Sequence, residues 1–275
     1  MKKNILITGS TDGIGLLAAK QLAKQGHQVI IHGRNPDKLT QVKQQMDNNL
    51  AVKVTAFSAD LSDLTQVENL AEKIEQKGIK LDVLVNNAGI FRTDKPLTNE
   101  GLDVRFVVNT LAPYWLSKKL CKKMAKKGRI INLSSAAQAP WDKGAMLGHT
   151  RLTDNQAYAQ SKLAIAAWTY HLAHQPLYQD IDWISLNPAS LLGSKMVKEA
   201  YGVNGKDLSI GANIIVKLAT DATLAAQNGR YFDNDIGQFS YPHDFALHEA
   251  NNQMLIEILE HLAQRLLPEQ TRQAV

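Results

Sequence analysis

At 275 residues, 44% apolar and 21% charged, the chain has the composition of a soluble globular protein with room for one large domain and a substantial core. Its 31 Lys and Arg against 26 Asp and Glu leave a net charge of +5, too mild to imply a nucleic-acid partner. A single cysteine, Cys121, excludes an internal disulfide; no stretch approaches the roughly 18 apolar residues of a membrane span, and the N-terminal aliphatics fall short of a signal peptide, so a cytoplasmic protein is expected.

Asn4 to Gly15 reads N-I-L-I-T-G-S-T-D-G-I-G. Ile5 to Ile7 is an uncharged run of the kind found in a central strand buried on both faces. It leads into Gly9, Gly13 and Gly15, and a helical pattern starts at Leu16. Strand, glycine-rich turn and helix start place backbone N–H groups at the positive end of a helix dipole, where an anion such as a cofactor pyrophosphate would sit. A turn that merely needs positive φ values is the alternative. Leu16 to Gln25 is a helix stopped by Gly26, and Val29 to Ile31 a second strand. Asn35-Pro36 gives an N-cap with proline at the first position of a helix through Met46. Val52, Val54 and Ala56 mark a third strand closing at Asp60-Leu61. Ser62 is expected to cap the next helix, to about Lys77. Leu81 to Val85 is a fourth strand, followed by Asn86-Asn87-Ala88-Gly89. A long helix over Asn99 to Lys126 precedes a fifth strand, Arg129 to Leu133. An unusually long loop then leads to a helix carrying Tyr158 to His171. A sixth strand (Ile181 to Leu186), a helix (Gly211 to Ala219), a short last strand (Tyr231-Phe232) and a terminal helix (Ala246 to Leu267) complete the chain.

Repeated strand–helix units of this kind call for an α/β fold, a doubly wound parallel sheet of about seven strands with helices on both faces and cofactor loops at the strand C-termini. No tandem repeat or linker interrupts it. Residues 1–275 are therefore read as one domain, with residues 190–210 and the C-terminal tail forming a small lobe over the site.

Tyr158 and Lys162 stand at i and i+4 and share one helix face. A free phenol titrates near pH ~10. An ammonium within roughly 4–6 Å lowers an acid's pKa by ~1–3 units, which brings the phenol into a useful range for proton transfer. Alone, the pair also fits an ordinary amphipathic helix.

Taken in order, Thr8-Gly9-x-x-x-Gly13-Ile14-Gly15, Asn86-Asn87-Ala88-Gly89, Asn109, Ser135 and Tyr158-x-x-x-Lys162 make the chain resemble the short-chain dehydrogenase/reductase family over nearly its whole length. The resemblance implies a Rossmann fold and an oxidoreductase that interconverts a carbonyl (aldehyde or ketone) and an alcohol. Tyr158 would be the general acid or base, and Lys162 would hold the nicotinamide ribose and depress the pKa of Tyr158. Ser135 would polarise the substrate oxygen, with Ser134 as the other candidate. Asn109 would support a water linking Lys162 to solvent. The cofactor would lie against Gly9, Ser10, Thr11, Gly13, Ile14, Gly15, Arg34, Asp60, Leu61, Asn86, Ala88, Gly89, Tyr158, Lys162 and Pro188.

Cofactor choice rests on His32-Gly33-Arg34-Asn35. NAD-dependent relatives usually carry an acid at the Gly33 position; here Arg34 can meet a 2′-phosphate in bidentate fashion, so NADP(H) is expected over NAD(H). The alternative is a surface arginine. The chain departs from the family in three places. Asn187-Pro188-Ala189-Ser190 stands where Pro-Gly is common, and Gly193 replaces a hydroxyl residue, with Ser194 one place later. Ser135 and Tyr158 lie 23 positions apart, more than is usual. The longer loop, with Trp141, Met146, Leu147 and His149, and Gly229-Arg230-Tyr231-Phe232 near the end are similar to the retinol-dehydrogenase-like branch. Such a loop either shapes a roomy apolar substrate pocket or is a surface excursion.

The lysine run from Lys118 to Lys127 reads as a solvated helix end. His171-x-x-His174 lacks an acid or cysteine to complete a metal site, so no metal is expected. Cys121 reads as a packed helix residue, and the terminal helix as core packing rather than membrane contact. A cofactor-binding redox sensor without chemistry is the competing function class. Substrate identity and the choice between monomer and homo-oligomer stay open.

Overall fold

Apolar residues at successive strand positions serve opposite faces of one sheet. The computed structural model describes residues 2–50 and 53–267. Its strands are β1 (Asn4–Ile7), β2 (Gln28–Gly33), β3 (Thr55–Ser58), β4 (Val83–Asn86), β5 (Gly128–Leu133), β6 (Ile181–Asn187), β7 (Tyr231–Asp233) and β8 (Gln238–Ser240). They run in the order β3-β2-β1-β4-β5-β6-β7-β8, parallel except for the β7–β8 hairpin. The helices are α1 (Gly13–Lys24), α2 (Pro36–Leu50), α3 (Leu64–Gln76), α4 (Val104–Phe106), α5 (Ala112–Cys121), α6 (Lys143–Met146), α7 (Asp154–Ala173), α8 (Lys195–Tyr201), α9 (Leu208–Thr220) and α10 (Glu249–Leu266).

Leu6, Ile30, Leu84, Ile130 and Trp183 join the core under α3, α5, α7 and α10. Their neighbours Ile5, Ile7, Val29, Ile31, Val85 and Ile184 join the core under α1, α2 and α9. Parallel strands covered on both faces carry few charges for this reason. Strand order reverses between β1 and β4, and a crevice at such a switch point is where doubly wound sheets bind ligands.

Some elements begin elsewhere than the sequence suggests. Asp63, not Ser62, caps α3 by accepting from Thr65 N at 2.9 Å, while the Ser62 hydroxyl turns back to Asp60 at 2.7 Å. The long helix starts at Val104 instead of Asn99. Gly101 sits at φ +79° inside a turn closed by Thr98 N to Leu102 O (2.8 Å), and Asp103 then caps Arg105 N. That helix ends at Cys121, well before Lys126, and contains a π-helical turn over Val107–Leu111. The third strand begins at Thr55, and Val52, expected to open it, lies outside the described residues. β8 adds an eighth, antiparallel strand beyond the seven parallel ones. The terminal helix starts at Glu249 after a 3₁₀ turn over Asp244–Leu247; the tail from residue 268 lies outside the described residues.

The loop from residue 136 to 157 is anchored in the core. Trp141 and Met146 are buried, and the Trp141 ring meets Phe245 edge-on at 4.7 Å. Among the described residues, no helix is long and apolar enough to cross a membrane.

Candidate active site

The glycine turn is shaped by what lies against it. Gly9 has φ +63°, and a Cβ there would come within 2.8 Å of Ala88 Cα; a Cβ on Gly15 would meet Asn87 Nδ2 at 2.3 Å. The turn is thus pressed against the end of β4. Asn87 Nδ2 donates to Thr8 O (2.8 Å) and Gly9 O (3.0 Å), and Thr8 Oγ1 accepts from the N–H groups of Asn87 and Ala88, each at 3.0 Å. On the other side His32 Nδ1 accepts from Gly9 N at 3.2 Å, and Nε2 faces Ala59 O at 3.1 Å. With a donor on one nitrogen and an acceptor on the other, the ring is neutral with its proton on Nε2. Burial holds its pKa down, to about 4. Asp12 caps α1 through Gly13 N, and its carboxylate pairs with Lys38 at 2.6 Å. The hydrogen bond from Lys38 is the largest influence lowering the Asp12 pKa.

This turn forms one end of a cleft of ≈ 1160 Å³. On the same wall, Gly33 ends β2 with Thr11 packed over it: a Cβ at Gly33 would lie 2.5 Å from Thr11 Cγ2. Thr11 therefore fills the space of any side chain at position 33. Arg34, one residue on, is exposed and lines the cleft.

At the other end, Thr153 starts α7 with a capping box shared with Gln156, so Tyr158 and Lys162 follow on one face. Lys162 is buried; its Nζ lies 5.7 Å from the Tyr158 ring centroid and donates to Leu133 O at 2.7 Å. Burial lowers its pKa to about 8. Phe91 packs against Tyr158, with ring centroids 4.5 Å apart. Ser135 lines the cleft next to them, whereas the Ser134 hydroxyl is buried and donates to Lys162 O at 2.6 Å.

Most residues singled out in the sequence line this one cleft, among them Thr11, Ile14, Asp60, Leu61, Gly89 and Pro188. Ser10, Asn86 and Asn109 do not. Ser10 is buried, bonding Ile7 O (2.8 Å) and His32 N (2.9 Å). Asn86 points into the core, its Nδ2 donating to Asn132 Oδ1 (2.7 Å) and Ser117 Oγ (2.9 Å). Asn87 faces the turn instead. Asn109 sits in the π turn and its amide is spent on Ile90, accepting from N (2.8 Å) and donating to O (2.9 Å). A Cβ on Gly89 would come 3.4 Å from both Asn109 Oδ1 and Lys162 Nζ, so the two side chains flank the same point of the cleft wall.

The model of the short chain dehydrogenase family matches residues 3–202. The chain belongs to that family. The dehydrogenase is 35% identical over 176 residues to human polyprenol dehydrogenase, a match covering 61% of this chain and only 53% of that relative. It is 30% identical over 251 residues to human retinol dehydrogenase 13, covering 84% of this chain and 76% of the other. These relatives agree with a place in the retinol-dehydrogenase-like branch of the family. A metagenomic short-chain oxidoreductase solved with NADP superposes with a TM-score of 0.63 at 26% identity, covering 80% of this chain and 91% of that one. The protein is thus an oxidoreductase of this family, an NAD(P)-dependent dehydrogenase or reductase.

The dehydrogenase's departures from its family have local causes. At Gly193 a Cβ would lie 2.5 Å from Asn204 O, so the returning chain leaves no room for a hydroxyl residue. The Ser194 hydroxyl caps α8, accepting from Val197 N at 3.3 Å. Of the long loop only Ala136 and Ala137 reach the cleft; Trp141 and Met146 pack into the core. The lysine run is partly paired, Lys118 with Glu260 and Lys119 with Glu68 at 2.7 Å. Cys121 is buried and its thiol is pushed up to about 11 by desolvation. No cluster of three metal-ligating side chains occurs among the described residues.

His32, Asn87 and Lys38 hold the turn without a sign of that role in the sequence. The asparagine pair was visible, but which member turns to the cleft depends on how the chain leaves β4. His32 and Lys38 gave no local signal, because their partners come from other elements.

Proposed function

We propose that the dehydrogenase uses NADP(H) to interconvert a carbonyl and an alcohol. The meeting of Tyr158, Lys162 and Ser135 at one end of the cleft that begins at the glycine turn carries this reading. The turn fits a dinucleotide: at Gly9 the backbone lies bare beside Ala88, and any side chain would fill the cradle. Arg34, exposed on the cleft wall beyond Gly33, would meet a 2′-phosphate, while Thr11 occupies the place an acid would need. NADP in the metagenomic relative and the alcohol names of the two human relatives support the same assignment.

When bound, the nicotinamide gives or takes the hydride. Tyr158 would hold the substrate oxygen, protonating it during reduction and taking the proton back during oxidation. The Lys162 ammonium, 5.7 Å from the ring centroid, favours the phenolate that remains. Its pKa of about 8 leaves it mostly cationic at neutral pH. Ser135 would polarise the substrate oxygen from the β5 side. Since the amide of Asn109 is spent on Ile90, its support for a water beside Lys162 would come from its backbone carbonyl, where the π turn disturbs the helical ladder. Residues 190–210 would form the small lobe on the substrate side, where Leu192, Met196 and Val197 line the same cleft as Phe91. An apolar substrate suits such walls.

Tyr158→Phe tests the assignment. NADPH consumption against a panel of aldehydes and ketones should fall by about 100-fold or more, with the Kd for NADPH unchanged. Full turnover in the variant would overturn the reading, and a non-catalytic cofactor sensor would show no turnover even in the wild type.

A further inference from the structure

The Gly229-Arg230-Tyr231-Phe232 motif leads into β7, three strands along the sheet from β4, and its tyrosine does not line the cleft but bonds a residue that does. Tyr231 is buried on β7, and its hydroxyl donates to Ser135 O at 3.0 Å across 96 positions of chain. The same carbonyl accepts from Gln138 Nε2 at 2.9 Å. Gln138 Oε1 in turn accepts from His243 N at 2.9 Å, after the β7–β8 hairpin. Ser135 is the first residue after Ser134, whose hydroxyl is committed to Lys162 O. The peptide after Ser135 is therefore held by Tyr231 and Gln138, and the Ser134 side chain before it is tied to the helix that bears Tyr158. That peptide leads on to Ala137, whose N–H the Ser135 hydroxyl accepts at 3.1 Å, so the anchors of the carbonyl bear on the direction of the Ser135 side chain. Burial, with Asp233 and Asp235 nearby, pushes the Tyr231 pKa up, so its hydroxyl stays a donor.

We propose that Tyr231 is a positioning residue for the reaction: by holding Ser135 O, with Gln138, it aims the Ser135 hydroxyl at the substrate oxygen. This rests on the reading of Ser135 as the polarising group. A tyrosine that only satisfied its own buried hydroxyl would make the same bond, and would add to stability independently of Ser135. A double-mutant cycle separates the two.

Tyr231→Phe, Ser135→Ala and the double variant are assayed by NADPH oxidation with decanal or cyclohexanone, whichever the wild type reduces faster. Tm and NADPH Kd are measured alongside. Tyr231→Phe should lower kcat about three- to ten-fold, the worth of one hydrogen bond, with NADPH Kd unchanged. In the Ser135→Ala background it should lower kcat no further. Gln138→Leu, which removes the second donor at a half-buried position, should reproduce the loss if Tyr231→Phe folds poorly. Wild-type kcat in Tyr231→Phe, or losses that multiply in the double variant, overturns the positioning role alone. Wild-type kcat in Ser135→Ala overturns the reading of Ser135 and the inference with it.

Discussion

The glycine turn requires a neutral imidazole at His32. Protonation would set an Nδ1–H against the Gly9 N–H that it now accepts. In the folded chain the ring titrates at about 4, against 6.5 when unfolded. Its contribution to stability is therefore complete above pH ~6.5 and disappears as pH falls towards 4, where the unfolded chain is protonated and the folded one is not. At ~1.36 kcal/mol per pH unit the loss near pH 4 is about 3 kcal/mol. Urea unfolding across that window should show this slope, and His32→Gln should flatten it; an unchanged slope would remove His32 as its source. Residues whose partners are sequence neighbours were legible in advance. The glycine spacing and the Tyr158–Lys162 pair are local, so the chain announces them. His32 was not legible, because its partners Gly9 and Ala59 are brought to it by two other strands. The choice between Asn86 and Asn87 depended on one peptide's orientation at a strand end, which composition does not encode.

Among the elements, uncharged strands and alternating helices were readable from hydrophobic period alone. The starts of α3 and of the helix after Gly101 were not, since an aspartate one or four residues later captured the free N–H groups. The segment after β6 was legible only as a departure. There Ala189 (φ +125°) and Leu191 (φ +55°) take conformations that cost about 1–3 kcal/mol each without support. The support comes from the β7–β8 turn. Asp235 accepts from Ser190 N and Asn187 Nδ2, both at 2.9 Å, and pairs with Lys206 at 3.6 Å, while Asn234 Nδ2 donates to Pro188 O at 2.9 Å. Asp235→Ala leaves that backbone without its anchor. The variant should lose about 1–3 kcal/mol in stability, and limited proteolysis should cut faster between residues 190 and 206. Cleavage at the wild-type rate would show that the segment holds itself.

In the whole molecule, α10 completes the core from the end of the sequence. Leu255, Ile258, Leu259 and Leu262 are buried with residues of α3 and α7, and Glu260 receives Lys118 and the Tyr114 hydroxyl. Leu259→Ala removes a fully buried side chain from this seam and should cost about 2–5 kcal/mol. The midpoint of urea unfolding reads that loss, and a loss below about 1 kcal/mol would mean that α10 only lies on the surface. On the other face of the sheet, Ala18, Ala19 and Leu22 of α1 pack against Ala212, Ile215 and Ala219 of α9, and Gln21 Nε2 donates to Asn213 Oδ1 at 2.9 Å. Roughly 180 residues separate those helices in the chain. At about 5–20 residues per second, a ribosome needs on the order of 10–40 s to deliver the second after the first. For that interval the helix behind the glycine turn can pack on β2 and α2 but lacks its partner α9. The nucleotide end of the nascent chain therefore cannot complete its packing until residue 220 has left the ribosome.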